Sequence, residues 1–219
     1  WKGSVHEANG VSCHGCHGGD PTDVTMAMSP ERGFIGVPKE SDIPDFCGRC
    51  HVGVREDYLE SAHGRALGSG GPTCVTCHGS HRVVTATIEL INRRDCTRCH
   101  EYGRAEEIKS ALAATDGSIA TLERTLADLR RIGVTTKETD GELFDLRNRF
   151  HRLFHSVDVD KVRAGTAAFR QELDRIKGRV DAIQLELNHR KLWGGAVVVL
   201  LLLGAVLALL IYRSYRRER

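Results

Sequence analysis

The first hundred residues are short of large aliphatic side chains and rich in glycine, too thin in apolar matter to bury an ordinary core for their length. A self-sufficient globular domain of the usual kind is excluded there. From residue 105 onward the lack is of a different sort: cysteine and proline vanish, and leucine and arginine take over. That shift predicts a boundary near residue 104. Between Leu192 and Tyr212 there is no His, Asp, Glu, Lys or Arg, so this stretch can neither ligate a metal nor carry a proton. The start at Trp1 lacks both Met and a signal-peptide pattern, and an export leader removed upstream is expected.

What the first hundred residues do contain is a motif repeated four times. It reads Cys13-His14-Gly15-Cys16-His17, Cys47-Gly48-Arg49-Cys50-His51, Cys74-Val75-Thr76-Cys77-His78 and Cys96-Thr97-Arg98-Cys99-His100. Cys-x-x-Cys-His is the spacing at which two thiols join the vinyl groups of one haem and the histidine becomes an iron ligand. The four copies use all eight cysteines, so no thiol is left for a disulfide. Two four-cysteine zinc sites or a disulfide framework would give no reason for a histidine after every second cysteine. Four covalently bound c-type haems are therefore expected, with Cys13, Cys16, Cys47, Cys50, Cys74, Cys77, Cys96 and Cys99 as attachment points and His17, His51, His78 and His100 as proximal ligands. The porphyrins would supply the missing core.

The formal net charge of +2 omits two propionates on each haem, and no nucleic-acid partner is read from it. Haem attachment of this type, with cysteines free of disulfides, points to the periplasmic side of a bacterial inner membrane.

An iron that shuttles electrons without binding substrate needs a second axial ligand. His6, His63, His81, His151 and His155 are the candidates, with His14 and His189 set aside. Ser4-Val5-His6 precedes the first motif and Ser61-Ala62-His63-Gly64 precedes the third, which suggests a duplicated two-haem unit. His81 lies just beyond His78. His151 and His155 share one helix face, and His155 is favoured as the fourth ligand. Met26 and Met28 are expected to pack on a porphyrin face, and residues 82 to 91 to run as extended chain.

In the second half, apolar residues alternate in steps of four and three at Ile108, Leu112, Thr115, Ile119, Leu122, Leu126 and Leu129, a coiled-coil seam with Thr115 as its weak position. A second seam runs Val162, Thr166, Phe169, Leu173, Ile176, Val180, Ile183 and Leu187, and a shorter stripe runs Leu143, Leu146, Phe150, Leu153 and Val157. A turn over Gly133 to Gly141 predicts that a helix from about 105 to 132 packs antiparallel against the helical chain beyond that turn. At about 1.5 Å per residue the long second helix would rise on the order of 40 Å, a stalk holding the haems above a membrane.

The 21 residues from Leu192 to Tyr212 match a hydrocarbon core of roughly 30 Å. Trp193, Tyr212 and Tyr215 suit its interfaces, and Arg213, Arg216, Arg217 and Arg219 a cytoplasmic tail. Gly204 and Ala208 permit close packing on another helix.

The four motifs, with Ser61-Ala62-His63-Gly64 and Cys77-His78-Gly79-Ser80-His81, resemble the periplasmic multihaem cytochromes c, specifically the small tetrahaem cytochrome c3-like and NapC/NrfH-like groups. The resemblance covers roughly residues 1 to 104. It implies mostly bis-histidine c-type haems packed as an electron wire. NapC/NrfH-like members take electrons from quinol and are anchored at the N-terminus; here the anchor is C-terminal, beyond a helical stalk.

The expected fold is mainly α: a loop-rich tetrahaem domain (1–104) with little regular structure, a helical coiled-coil hairpin (105–191), one transmembrane helix (192–212) and a basic cytoplasmic tail (213–219). The expected function is electron transfer between a quinol-oxidising membrane complex and periplasmic redox partners, with other membrane subunits as neighbours. The alternatives are a quinol dehydrogenase in its own right and a multihaem reductase of a small nitrogen or sulfur oxyanion, which would need an open iron position.

Overall fold

A computed structural model describes residues 1–217 and is mainly helical, with no strand among the described residues. Of the predicted basic tail, Arg219 lies outside them. The chain divides into two compact units, Trp1–Glu172 and Leu173–Arg219.

The first unit opens with seven short helices. These are α1 (Val5–Ala8), α2 (Cys13–His17), α3 (Ile43–Gly48), α4 (Val52–Glu60), α5 (Ala62–Arg65), α6 (Cys74–His78) and α7 (Arg93–Cys96). Short 3₁₀ turns at Pro30–Arg32, Glu40–Asp42 and Ile88–Leu90 link them. The last of these replaces the uniformly extended chain expected over 82 to 91. Its cause lies in the neighbours: Lys109 Nζ donates to Glu89 at 2.8 Å, and the Tyr102 hydroxyl donates to the Ile91 carbonyl at 3.3 Å, pinning the segment on the next long helix.

The repeat in the sequence recurs in the backbone. Ser4 accepts from Glu7 N and opens α1, and Ser61 accepts from Gly64 N and opens α5; each serine is buried, and each helix carries a candidate histidine. The first and third motifs are one-turn helices, α2 and α6, ended by Gly18 and Gly79 at φ 70° and 75°. At Gly18 a side chain is excluded, because a Cβ would stand 2.2 Å from the Gly33 carbonyl oxygen. The second and fourth motifs straddle helix ends, with His51 N and His100 N donating back to the carbonyls of Cys47 and Cys96.

Apolar burial among these seven helices is sparse. Tyr58 is the one large hydrophobic side chain buried in the first hundred residues, while Val24 and Val37 are 98% and 90% exposed.

Beyond them, α8 (Gly103–Arg131) buries Ile108, Leu112, Thr115, Ile119, Leu122, Leu126 and Leu129, every position of the predicted stripe. Helix α9 (Lys137–Leu153) buries Leu143, Leu146 and Phe150. It runs back along α8: Arg130 pairs with Asp140, and Arg147 reaches Glu123 at 2.5 Å and Asp116 at 3.4 Å. The turn between them is shorter than the expected Gly133-to-Gly141 run. Asp140 N donates to the Thr136 carbonyl, and Glu138 and Asp140 complement the helix N-terminus, so α9 begins at Lys137. The stripe predicted through Val157 stops with α9, since Val157 adopts φ 44° in the turn before the next helix.

Helix α10 (Val159–Arg217) is continuous where a separate stalk and membrane helix are expected. Residues 159 to 217 contain no proline, and Gly194-Gly195 costs helix propensity without removing a hydrogen bond. In the first unit its Val162 and Thr166 are buried. In the second unit α10 is long and apolar enough to cross a membrane, with Leu192, Trp193 and residues 200–203 all well exposed.

Candidate functional site: four histidine pairs

Within a one-turn helix, positions i, i+3 and i+4 share a face. That geometry sets Cys13, Cys16 and His17 on one side of α2, and Cys74, Cys77 and His78 on one side of α6. All eight cysteines are free thiols, and one cysteine of each motif is exposed while the other is half-buried.

Every motif histidine faces one histidine from outside the motifs. His51 faces His6 with 6.1 Å between ring centroids, His17 faces His81 at 6.1 Å, His100 faces His63 at 6.3 Å and His78 faces His155 at 6.2 Å. Two imidazoles on opposite sides of one metal ion, each with a metal–nitrogen bond of about 2 Å and about 1 Å more to the ring centre, stand roughly 6 Å apart. All four separations match that value.

Among the described residues no three His, Cys, Asp or Glu side chains converge on a point. A porphyrin supplies four nitrogens itself, so two histidines complete its iron; a grouping in twos suits a haem and not a zinc ion. His151 belongs to no such pair. Its ring lies against Phe150 and Phe154, at 6.5 and 6.0 Å. His14 is held by Ser12 Oγ at 2.6 Å.

Hydrogen bonds fix the ring tautomers. Nδ1 of His17 donates to the Gly36 carbonyl at 2.8 Å, that of His100 to the Glu101 carbonyl at 2.7 Å, and that of His155 to the His151 carbonyl at 3.3 Å. A carbonyl only accepts, so the proton sits on Nδ1 and Nε2 keeps its lone pair for a metal. Burial, reinforced by the facing histidine, holds His63 and His78 below the ordinary histidine range, and burial does the same at His155. Neutral imidazole is the ligating form.

The motifs also touch one another. Arg49 donates to the Cys16 carbonyl and lies over the Phe46 ring at 4.8 Å, while Phe46 stands 5.3 Å from His17. These contacts bring the first and second motifs together. Helix α3 packs on α6, and the Cys47 and Cys74 thiols act on one another: Cys74 holds Cys47 down at about 7, while Cys47 and burial push Cys74 up. The second and third motifs are thereby adjacent.

Linear spacing does not reveal Phe34, whose ring stands 6.2 Å from that of His17, or Phe46 beside it, nor the pairing of Arg152 with Asp57, because each acts on a distant stretch of chain. Met26 and Met28 are exposed, at 44% and 72%. No family model matches the chain, and neither a curated protein nor a solved structure matches it.

Proposed function

We propose that the chain is a membrane-anchored tetrahaem c-type cytochrome that passes electrons between a quinol-oxidising membrane complex and redox partners on the outer side of the bacterial inner membrane. The observation that carries this reading is the set of four histidine pairs, each joining one Cys-x-x-Cys-His histidine to a second ring at the spacing of two axial ligands. Bound haem would supply one-electron iron chemistry. The paired cysteines would hold each porphyrin by its edge. With a histidine pair holding each iron, no position would be left for water or substrate, which would favour electron transfer over reduction of an oxyanion. The near absence of buried aliphatics in the first hundred residues fits a domain whose core is porphyrin.

The stripe of α8, set against α9 and the start of α10, serves in this reading as a coiled-coil hairpin that carries the haem domain. The exposed apolar length of α10 serves as the anchor, with Arg213, Arg216 and Arg217 on the cytoplasmic side.

Electron paramagnetic resonance of the oxidised, detergent-purified chain, with haem counted as the pyridine haemochrome, tests the proposal. Four low-spin haems and no high-spin iron are expected. One reproducible high-spin haem would replace electron transfer with the reductase reading, and no covalent haem would end both.

A further inference from the structure

The four pairs are not built alike. His6 and His63 sit in serine-capped helices beside the motifs, and His81 lies three residues beyond the third motif's own histidine. His155 alone comes from the cysteine-free half, in the connection between α9 and α10. Its backbone N donates to the Arg152 carbonyl at 3.0 Å and its Nδ1 to the His151 carbonyl, so its hydrogen bonds tie it only to its own segment.

That segment is joined to the motif region by a two-point ion pair. Arg152 Nε donates to Asp57 Oδ2 at 2.6 Å and Arg152 Nη2 to Asp57 Oδ1 at 3.1 Å, linking the last turn of α9 to α4. A guanidinium fork on a carboxylate fixes orientation as well as distance. Gly53, one turn ahead of Asp57, leaves the space for it: a Cβ there would stand 2.9 Å from the guanidinium carbon. On the far side of His155, Val157 is held at φ 44°, a region that β-branched residues avoid and that persists only where the surroundings impose it. The connection therefore does not choose its own shape.

We propose that the Asp57–Arg152 pair positions His155 over His78, so that the helical half governs whether the metal at the third motif keeps its second ligand. The inference rests on reading His78 and His155 as two ligands of one haem. Asp57 and Arg152 are positioning residues, since neither reaches the metal. The two side chains are 27% and 46% exposed, so the pair adds little to global stability and acts through geometry.

The test uses the full chain in detergent, with Arg152→Ala, Asp57→Asn and the conservative Arg152→Lys. The readouts are haem content, helical circular dichroism, the high-spin fraction in electron paramagnetic resonance, and carbon monoxide binding after dithionite reduction. His155→Ala supplies the reference, with one of four haems high-spin. Arg152→Ala and Asp57→Asn should keep four haems and full helicity while one haem becomes a low-spin/high-spin mixture that binds carbon monoxide. Arg152→Lys, which keeps the charge but not the fork, should fall between them and the wild type. Gly53→Ala, which alters neither charge, should show the same mixture by displacing the guanidinium. Four low-spin haems and no carbon monoxide binding in both Arg152→Ala and Asp57→Asn, with the reference variant behaving as stated, would overturn the proposal alone. Absence of covalent haem in the wild type would overturn the functional reading, and this proposal with it.

Discussion

The rings of His78 and His155 face each other nearly parallel, 6.2 Å between centroids and 18° between planes, although one belongs to a cysteine motif and the other to the segment after a helix of the cysteine-free half. The same crossing of segments recurs in the other pairs. His6 precedes the first motif yet faces the histidine of the second, and His63 precedes the third motif yet faces that of the fourth. The histidines of the first and third motifs, His17 and His78, find partners that come later in the chain. The duplicated unit is thus a unit of structure, with each half borrowing its missing ring from further on.

If the chain is the tetrahaem cytochrome proposed above, replacing His63 by alanine should leave four haems attached, because the cysteines are untouched, and convert one low-spin iron to high-spin. Replacing His151, whose ring lies against Phe150 and Phe154, should convert none. Mass spectrometry for haem content and electron paramagnetic resonance for spin state check both, and a high-spin signal from the His151 variant would reverse the roles of His151 and His155.

Thr115 is fully buried in the stripe of α8, and its hydroxyl has no hydrogen-bond partner. Valine has nearly the same shape and no polar atom to desolvate. Thr115→Val should therefore stabilise the chain by roughly 1 kcal/mol, read as a rise in the thermal midpoint at unchanged helicity.

Phe150 is the largest fully buried side chain and meets Phe154 and Phe169 edge-on at 5.2 and 5.7 Å. Truncation to alanine removes those contacts and leaves a cavity between α9 and the start of α10. A loss of about 3–5 kcal/mol is expected in urea unfolding.

At Val157 a left-handed backbone is imposed on a β-branched residue. Glycine adopts that conformation freely but has more chain entropy to lose, so Val157→Gly should gain on the order of 1 kcal/mol net. A lower unfolding midpoint for this variant would show that the valine side chain contributes more through packing than the backbone loses through strain.

The helical half was legible because its signal is local. Steps of four and three mark the buried face of α8 position by position, and every residue from Ile108 to Leu129 on that stripe is buried. The Cys-x-x-Cys-His spacing is local too, and so is the repeated Ser-x-His ahead of the first and third motifs, although the short helices that Ser4 and Ser61 open stand where the sequence reads as loop. What spacing cannot carry is which distant ring meets which. Nothing near His17 in the sequence names His81, and the residues around His151 and His155 favour His155 as a ligand without saying that it meets His78. The boundaries escaped for the same reason. Lys109 and Tyr102 fold the 88–91 segment from a distance, and the acidic first turn of α9 outweighs the turn-forming residues up to Gly141.

A chain that emerges N-terminus first meets these pairings as a schedule. His51 closes the first pair with His6, His81 the next with His17, and His100 the third with His63. The site at His78 waits longest, through the whole of α8 and α9, until His155 arrives. Its loop is the longest to close and the slowest to find, so the third motif is the last to meet its partner ring although it comes third of four in the chain.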